Sequence, residues 1–181
     1  LVAHLNKQGH TDVLLVDSLS MDKTKNIAGL IFEDFISPNE LLEMNIDKSD
    51  TVWHMGANSS TKEKDWNKIY ASNVDYTRRL ISKCNTMVFA SSASVYGDNR
   101  NTQEHPVNEA PKNLYASSKL ICDNIIRNTV GCKIQSWRFF NVYGNRERHK
   151  QAMGMGSPYT NFVKQAQDTG TIKIFEGSDK V

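Results

Sequence analysis

Residues 89–120, FASSASVYGDNRNTQEHPVNEAPKNLYASSKL, constrain this chain more than any other stretch. The apolar run at 87–90 ends in Ser91 and Ser92, which is how a buried strand delivers a hydroxyl to its carboxyl end. A loop rich in Asn, Gly, Glu and Pro follows. Tyr115 and Lys119 then stand four residues apart, ahead of Leu120, Ile121, Ile125 and Ile126. That spacing predicts a helix over 114–129 with the phenol and the ammonium on one face. An ammonium beside a phenol favours the phenolate, and a phenol near its ordinary value of about 10 must fall several units to act as a base near neutrality. Ser92 would hold a reacting oxygen while Tyr115 takes its proton, an apparatus for oxidising an alcohol if a hydride acceptor lies nearby. The spacing alone also fits a half-buried helix tyrosine with Lys119 in solvent.

The rest of the chain alternates strands and helices. Leu1, Val2 and Leu5 give an apolar stripe to a short helix that Gly9 would end. Residues 13–16 form a continuous apolar strand running into Asp17, where an acidic side chain accepts hydrogen bonds either from a ribose or as a turn cap. Residues 18–30 are polar; Lys23 and Lys25 there could meet a phosphate, and they fit a solvated loop better. Residues 32–36 are a short strand or turn, and Pro38 opens a helix with Leu41, Leu42 and Met44 on its buried side. Residues 51–55 read as another strand, followed by Gly56, Ala57, Asn58, Ser59 and Ser60, small residues that admit close approach of a ligand to backbone. His54 has no partner cluster and fits a packed histidine better than a metal ligand, and Trp66 fits packing or a lid. A helix is expected over 69–84, carrying Asn73 either beside the reactive strand ends or exposed, and a further strand at 134–139 leads into Asn141, Val142, Tyr143 and Gly144. Strand–helix alternation of this kind predicts an α/β doubly wound parallel sheet, with right-handed crossovers bringing Ser60, Ser92 and Asn141 toward one edge.

Composition narrows the class of partner. With 181 residues, 39% hydrophobic and 23% charged residues and a net charge of +2, the chain has the profile of one ordinary globular domain, without the basic stripe of a nucleic-acid binder. No apolar run is long enough to span a membrane, and no signal peptide is visible. Cys84, Cys122 and Cys132 are odd in number and lack CxxC spacing, so a disulfide framework or zinc site is not expected and a reducing, cytoplasmic compartment is. The chain reads as beginning inside a βαβ unit, with the first strand and its Gly-rich pyrophosphate turn not among these residues.

The segments SSASVYG, YASSK and RFFNVYG together resemble the extended short-chain dehydrogenase/reductase family of nucleotide-sugar epimerases and dehydratases, across essentially the whole chain. The later NRERHKQAM and FEGS segments are most similar to the branch of that family that inverts C6 of ADP-glycero-manno-heptose. The resemblance implies a Rossmann-like fold with an NADP-binding part over 1–150 and the start of a substrate region over 151–181, NADP in preference to NAD, a nucleotide-sugar substrate and a homo-oligomer, a pentamer in the family. It implies catalytic roles for Ser92, Tyr115 and Lys119, with Lys150 as a second acid/base. Cofactor contacts would come from Asp17, Ser18, Lys25, Met55, Gly56, Ala57, Asn58, Ser59, Asn73 and Val142, with Tyr115 and Lys119. Substrate contacts would come from Ser92, Asn141, Lys150, Ala152, Tyr159, Phe175, Glu176, Gly177 and Ser178. Four positions depart from the pattern: Ser18 stands for Asn, Pro38 for a cofactor-contacting Lys, Ala152 for Ser and Tyr159 for His. Without the Gly-rich turn, residues 1–181 alone are expected to hold NADP weakly and to be inactive. A UDP-hexose 4-epimerase uses the same Ser, Tyr and Lys and is the nearest rival reading; a Rossmann-like module that only binds a nucleotide is the other.

Overall fold

The computed structural model of the chain describes residues 1–18, 20–144, 147 and 156–174. Its elements run α1 (Val2–Lys7), β1 (Leu14–Val16), α2 (Met21–Ile27), β2 (Asp34–Ile36), α3 (Pro38–Glu43), β3 (Thr51–His54), α4 (Trp66–Ile69), a π-helical segment (Tyr70–Asp75), α5 (Tyr76–Ile81), β4 (Thr86–Ser92), α6 (Leu114–Arg127), β5 (Lys133–Phe139) and α7 (Pro158–Thr169). Short 3₁₀ turns at Ala93–Tyr96 and Pro106–Asn108 interrupt the β4–α6 connection. Contacts divide the chain into two units, one of Leu1–Ser20 with Ala28–Phe140, the other of Met21–Ile27 with Asn141–Val181.

All strands of the first unit pair in parallel, β1 with β2 and β3 with β4 with β5. Parallel neighbours need crossover connections, and helices supply them. This is the α/β arrangement of parallel sheet and helices that the alternation predicts. Along β4, burial alternates: Met87, Phe89 and Ser91 turn inward, while Val88, Ala90 and Ser92 are half-buried on the other side. Met87 and Phe89 meet Val74, Leu80 and Ile81 from the helix before the strand and Cys122 from the helix after it, with Leu41 and Leu42 of α3 closing the cluster. Val16, Ile36 and Val52 pack against this core from β1, β2 and β3. Each large apolar side chain taken fully out of water contributes about 1.5–3 kcal/mol.

Local chemistry sets the helix ends. Ser37 caps α3: its hydroxyl accepts from Glu40 N at 3.3 Å, the Glu40 carboxylate accepts from Ser37 N at 2.7 Å, and Pro38 occupies the first turn. Asn113 caps α6 by accepting from Ala116 N at 2.8 Å. Three details differ from the sequence expectation. Residues 21–27 are helical rather than loop. Met44 is exposed, because α3 ends at Glu43 and the chain turns extended there. The helix expected over 69–84 starts earlier, at Trp66, and is α-helical only at its two ends.

In the second unit, Glu147 gathers the start of α7. Its carboxylate accepts from Ser157 N at 3.0 Å and Ser157 Oγ at 2.8 Å and also bonds the Thr160 hydroxyl, and these bonds outweigh burial to hold its pKa at about 2. The Tyr143 and Tyr159 rings stack at 4.9 Å.

Candidate active site

The carboxyl end of β4 and the first turns of α6 bring Ser92, Tyr115 and Lys119 together. Ser92 Oγ accepts from Ser94 N at 3.2 Å and from Ser94 Oγ at 2.8 Å, which leaves its own proton free to donate. Burial pushes the Tyr115 pKa above its ordinary value, and the nearby Ser92 hydroxyl offsets part of that rise. Lys119, 2% exposed, donates from Nζ to Ala90 O at 2.6 Å and sits 4.5 Å over the Phe89 ring. Burial pulls its pKa down to about 8, against the charge of Asp123 one turn on. The sequence expectation that Lys119 depresses the Tyr115 pKa is therefore corrected. The ammonium is committed to the β4 backbone and a ring face, and burial governs the phenol.

Asn73 lies in the π-helical segment and is 2% exposed, not a solvated helix residue. Its Oδ1 accepts from Asn58 N at 2.8 Å and Ser72 Oγ at 3.0 Å; its Nδ2 donates to Asn58 O at 3.0 Å and Ser118 Oγ at 2.9 Å. Ser118 in turn donates to Tyr115 O at 2.7 Å. One amide thus fixes the loop after β3 to the helix bearing Tyr115. In that loop Gly56 is open, since a Cβ there would meet nothing within 4 Å, and Met55, Ala57 and Ser59 are exposed. An open backbone beside a buried ammonium and two hydroxyls fits the donor set that a ribose and an alcohol require. His54 is a packed residue. Thr77 Oγ1 donates to Asn73 O at 2.6 Å, so the His54 Nε2–H must donate to Thr77 at 2.8 Å, and burial followed by the Lys119 charge holds His54 neutral with a pKa of about 3. Among the described residues no cluster of three or more His, Cys, Asp or Glu could hold a metal.

A buried charge network below the site has no counterpart in the sequence reading. Asp123 accepts from Ser91 Oγ at 2.9 Å, Ser136 Oγ at 2.8 Å and Arg138 Nε at 3.0 Å. Arg138 also pairs with Glu109, which pairs in turn with Arg127. Burial works against the Arg138 guanidinium, which lies 4.9 Å over the Tyr96 ring, but its pairing with Glu109 and Asp123 helps hold its pKa well above the usual range. Ser91, next to Ser92, thereby anchors β4 to α6 and β5. After Tyr96 the chain turns at Gly97 (φ 58°), where a Cβ would lie 2.1 Å from Ala110 O, and Ala110 N donates to Val95 O at 2.9 Å. Only glycine fits that close approach.

The remaining expected site residues fall elsewhere. Asp17 follows β1, and its carboxylate accepts from Ser18 N at 2.6 Å. Lys25 on α2, Asn141, Val142 and Tyr159 belong to the second unit. Lys150, Ala152, Phe175, Glu176, Gly177 and Ser178 lie outside the described residues.

The site is thus a parallel sheet with serine at the carboxyl end of β4, and tyrosine and lysine one turn apart on the next helix. Residues 1–180 match the NAD dependent epimerase/dehydratase family, and the chain belongs to it. It is 36% identical, over 99% of its length, to the ADP-L-glycero-D-manno-heptose-6-epimerase of Alkalilimnicola ehrlichii, and 35% identical over 99% to that of Brachyspira hyodysenteriae. The chain spans 59% and 61% of those relatives. Among solved structures it is similar to the Helicobacter pylori ADP-L-glycero-D-manno-heptose-6-epimerase, with a TM-score of 0.80 and 24% identity over 97% of this chain and 61% of that one. The Bordetella bronchiseptica enzyme WbmG, solved with NAD and UDP, follows the same fold with a TM-score of 0.71 and 24% identity over 96% of this chain and 56% of that one.

Proposed function

We propose that the full protein is an epimerase that inverts C6 of ADP-D-glycero-D-manno-heptose through a transient ketone, using NADP in preference to NAD. The observation that carries the chemistry is the placement of Ser92 at the carboxyl end of β4 with Tyr115 and Lys119 one turn apart on α6, where buried Lys119 donates to Ala90 O of β4 at 2.6 Å. The choice of substrate rests on the names of relatives that align with 99% of the chain and on the HK and FEGS segments. The C6–H of such a sugar is not acidic, so direct deprotonation is a poor route, and NADP would supply the acceptor and then the donor of a hydride. Tyr115 Oη would take the proton of the C6 hydroxyl as the phenolate, a form that burial opposes and that the positive charge of an oxidised nicotinamide would favour, while the Ser92 hydroxyl steadies the same oxygen. Lys119 keeps positive charge below the phenol and offers its remaining N–H groups to a ribose. Inversion requires the outer carbons of the sugar to rotate, so that the oxygen meets a second proton-transfer group on return; Lys150 takes that role.

Asp17, Ser18, Lys25, the 55–59 loop held by Asn73, and Val142 would line the cofactor. Asn141, Ala152, Tyr159, Phe175, Glu176, Gly177 and Ser178 would line the sugar. The working enzyme is a homo-oligomer, a pentamer.

The test uses the full-length protein with ADP-heptose of each C6 configuration. Tyr115→Phe should lose about 10²–10⁴-fold in rate with the fold and NADP affinity retained. Lys150→Met should lose turnover by orders of magnitude, with the two epimers affected in opposite half-reactions. Preference for a UDP-hexose, or unchanged turnover in the Lys150 variant, would reject the heptose assignment. Binding of NADP without interconversion of any sugar would reject catalysis altogether.

A further inference from the structure

The β3–β4–β5 sheet has a second chemical feature, at the edge opposite Ser92. Cys84 lies in the turn that feeds β4, and Cys132 in the turn that feeds β5. The two strands are parallel neighbours with Thr86 opposite Lys133, so the turns entering them lie side by side, joined by Lys133 N donating to Asn85 O at 2.7 Å. The two sulfurs are 3.7 Å apart. Both cysteines line a cavity of about 420 Å³ that opens between α5 and α6, with Arg78, Ile81, Ile125 and Val130 around them. Cys84 is buried, Cys132 is half-buried, and Val130 is almost fully exposed at the rim.

We infer that Cys84 and Cys132 form a site of reversible covalent modification, a thiol pair that a peroxide converts to an intramolecular disulfide. The sulfurs need only close from 3.7 Å to the ~2.0 Å of a bond. Gly131, with φ of 91°, precedes Cys132 in an exposed turn. Cys132, the accessible partner, meets the oxidant. Its thiolate attacks a peroxide oxygen, breaking the O–O bond and releasing water once a proton is taken up, and becomes a sulfenic acid. Cys84 sulfur then attacks the sulfenic sulfur, the S–O bond breaks and a second water leaves. Two thiols and one hydrogen peroxide thus give one disulfide and two waters; each sulfur loses one electron and the peroxide gains two. Burial, and then the neighbouring Cys132, push the Cys84 thiol up to about 12, and a thiol raised in this way attacks faster as pH rises. Cys122 is the internal control: fully buried, donating to Asn73 O at 3.3 Å, and outside the cavity. The bridge would close the 48-residue separation that contains β4 and α6. It lies one seven-residue strand, about 20 Å, from Ser92. The inference does not depend on the proposed activity.

The full-length protein is treated with hydrogen peroxide at pH 7 and pH 9, alkylated under denaturing conditions, digested and analysed by mass spectrometry. The expected result is a linked peptide pair joining Cys84 to Cys132, formed faster at pH 9 and removed by dithiothreitol. The linked protein should melt about 5–10 °C higher than the reduced one. Cys122→Ser should retain the link, and Cys132→Ser, a small change at a half-buried turn, should lose it. Three results would overturn the inference: a link only between two copies of the chain, oxidation of Cys132 to a sulfinic acid with Cys84 still alkylatable, or both thiols remaining free under doses that oxidise exposed methionines.

Discussion

The side-chain amide of Asn73 holds both backbone polar groups of Asn58, accepting from its N–H at 2.8 Å and donating to its C=O at 3.0 Å. An apolar replacement would leave both of those groups short of a partner in a part-buried setting, and would take from the Ser118 hydroxyl the donor it accepts from. Asn73→Ala should lower unfolding stability by about 2–4 kcal/mol in urea. Under the proposed function it should also weaken nicotinamide cofactor binding, because the 55–59 loop loses its anchor. Unchanged stability would mean that the loop is held by other contacts.

The buried Lys119 ammonium opposes folding at neutral pH. Its folded pKa of about 8 lies below the 10.5 of a free lysine, so the unfolded chain binds the proton more tightly, and burying the charge costs stability at neutral pH. That cost fades as pH rises from 8 toward 10.5. Lys119→Met keeps the stem, loses the bond to Ala90 O, and should raise stability at pH 7 by about 1–2 kcal/mol. Denaturant melts from pH 7 to 10 should show the wild type gaining on the variant; parallel curves would contradict the assignment.

His54 acts in the acid range. Its folded pKa is depressed to about 3 from 6.5, so its contribution is complete above pH 6.5 and is lost progressively as pH falls toward 3. Between pH 7 and pH 5 the wild type should lose about 2 kcal/mol through this group alone. His54→Gln should show a flatter pH dependence over that interval. Identical slopes in urea titrations of the two proteins would reject the role.

Arg138 compensates two buried carboxylates at once. Arg138→Met leaves Glu109 and Asp123 without their shared cation and should cost about 3–5 kcal/mol at pH 7. At mildly acid pH, where the stranded carboxyls can take up protons, part of the loss should return. Circular dichroism melts at pH 5 and pH 7 measure the difference.

Periodicity made part of this site legible and topology hid the rest. The spacing of Tyr115 and Lys119 and the strand ending at Ser92 are local patterns, and each falls where the pattern placed it. The strands were readable for the same reason, as apolar runs between polar turns. Glu109, Asp123 and Arg138 carry no local signature: Arg138 reaches Asp123 across 15 residues and Glu109 across 29. The inward face of α6 also differs from an apolar stripe. Ala116, Ser118, Lys119, Cys122 and Asp123 are the deeply buried positions, while Ile121, Ile125 and Ile126 pack at the edge of the core. Polar groups won the centre because each finds a partner there. The direction of the Tyr115 pKa followed from burial, which a spacing of four cannot report.

Gly97 and the Val95–Ala110 bond fasten the two ends of the excursion between β4 and α6 to each other. Residues 100–104 hang outside that clasp, exposed. Their length can therefore change without displacing the helix that bears Tyr115. An affinity peptide grafted at this tip would report on the protein without disturbing the strand and helix that the clasp joins.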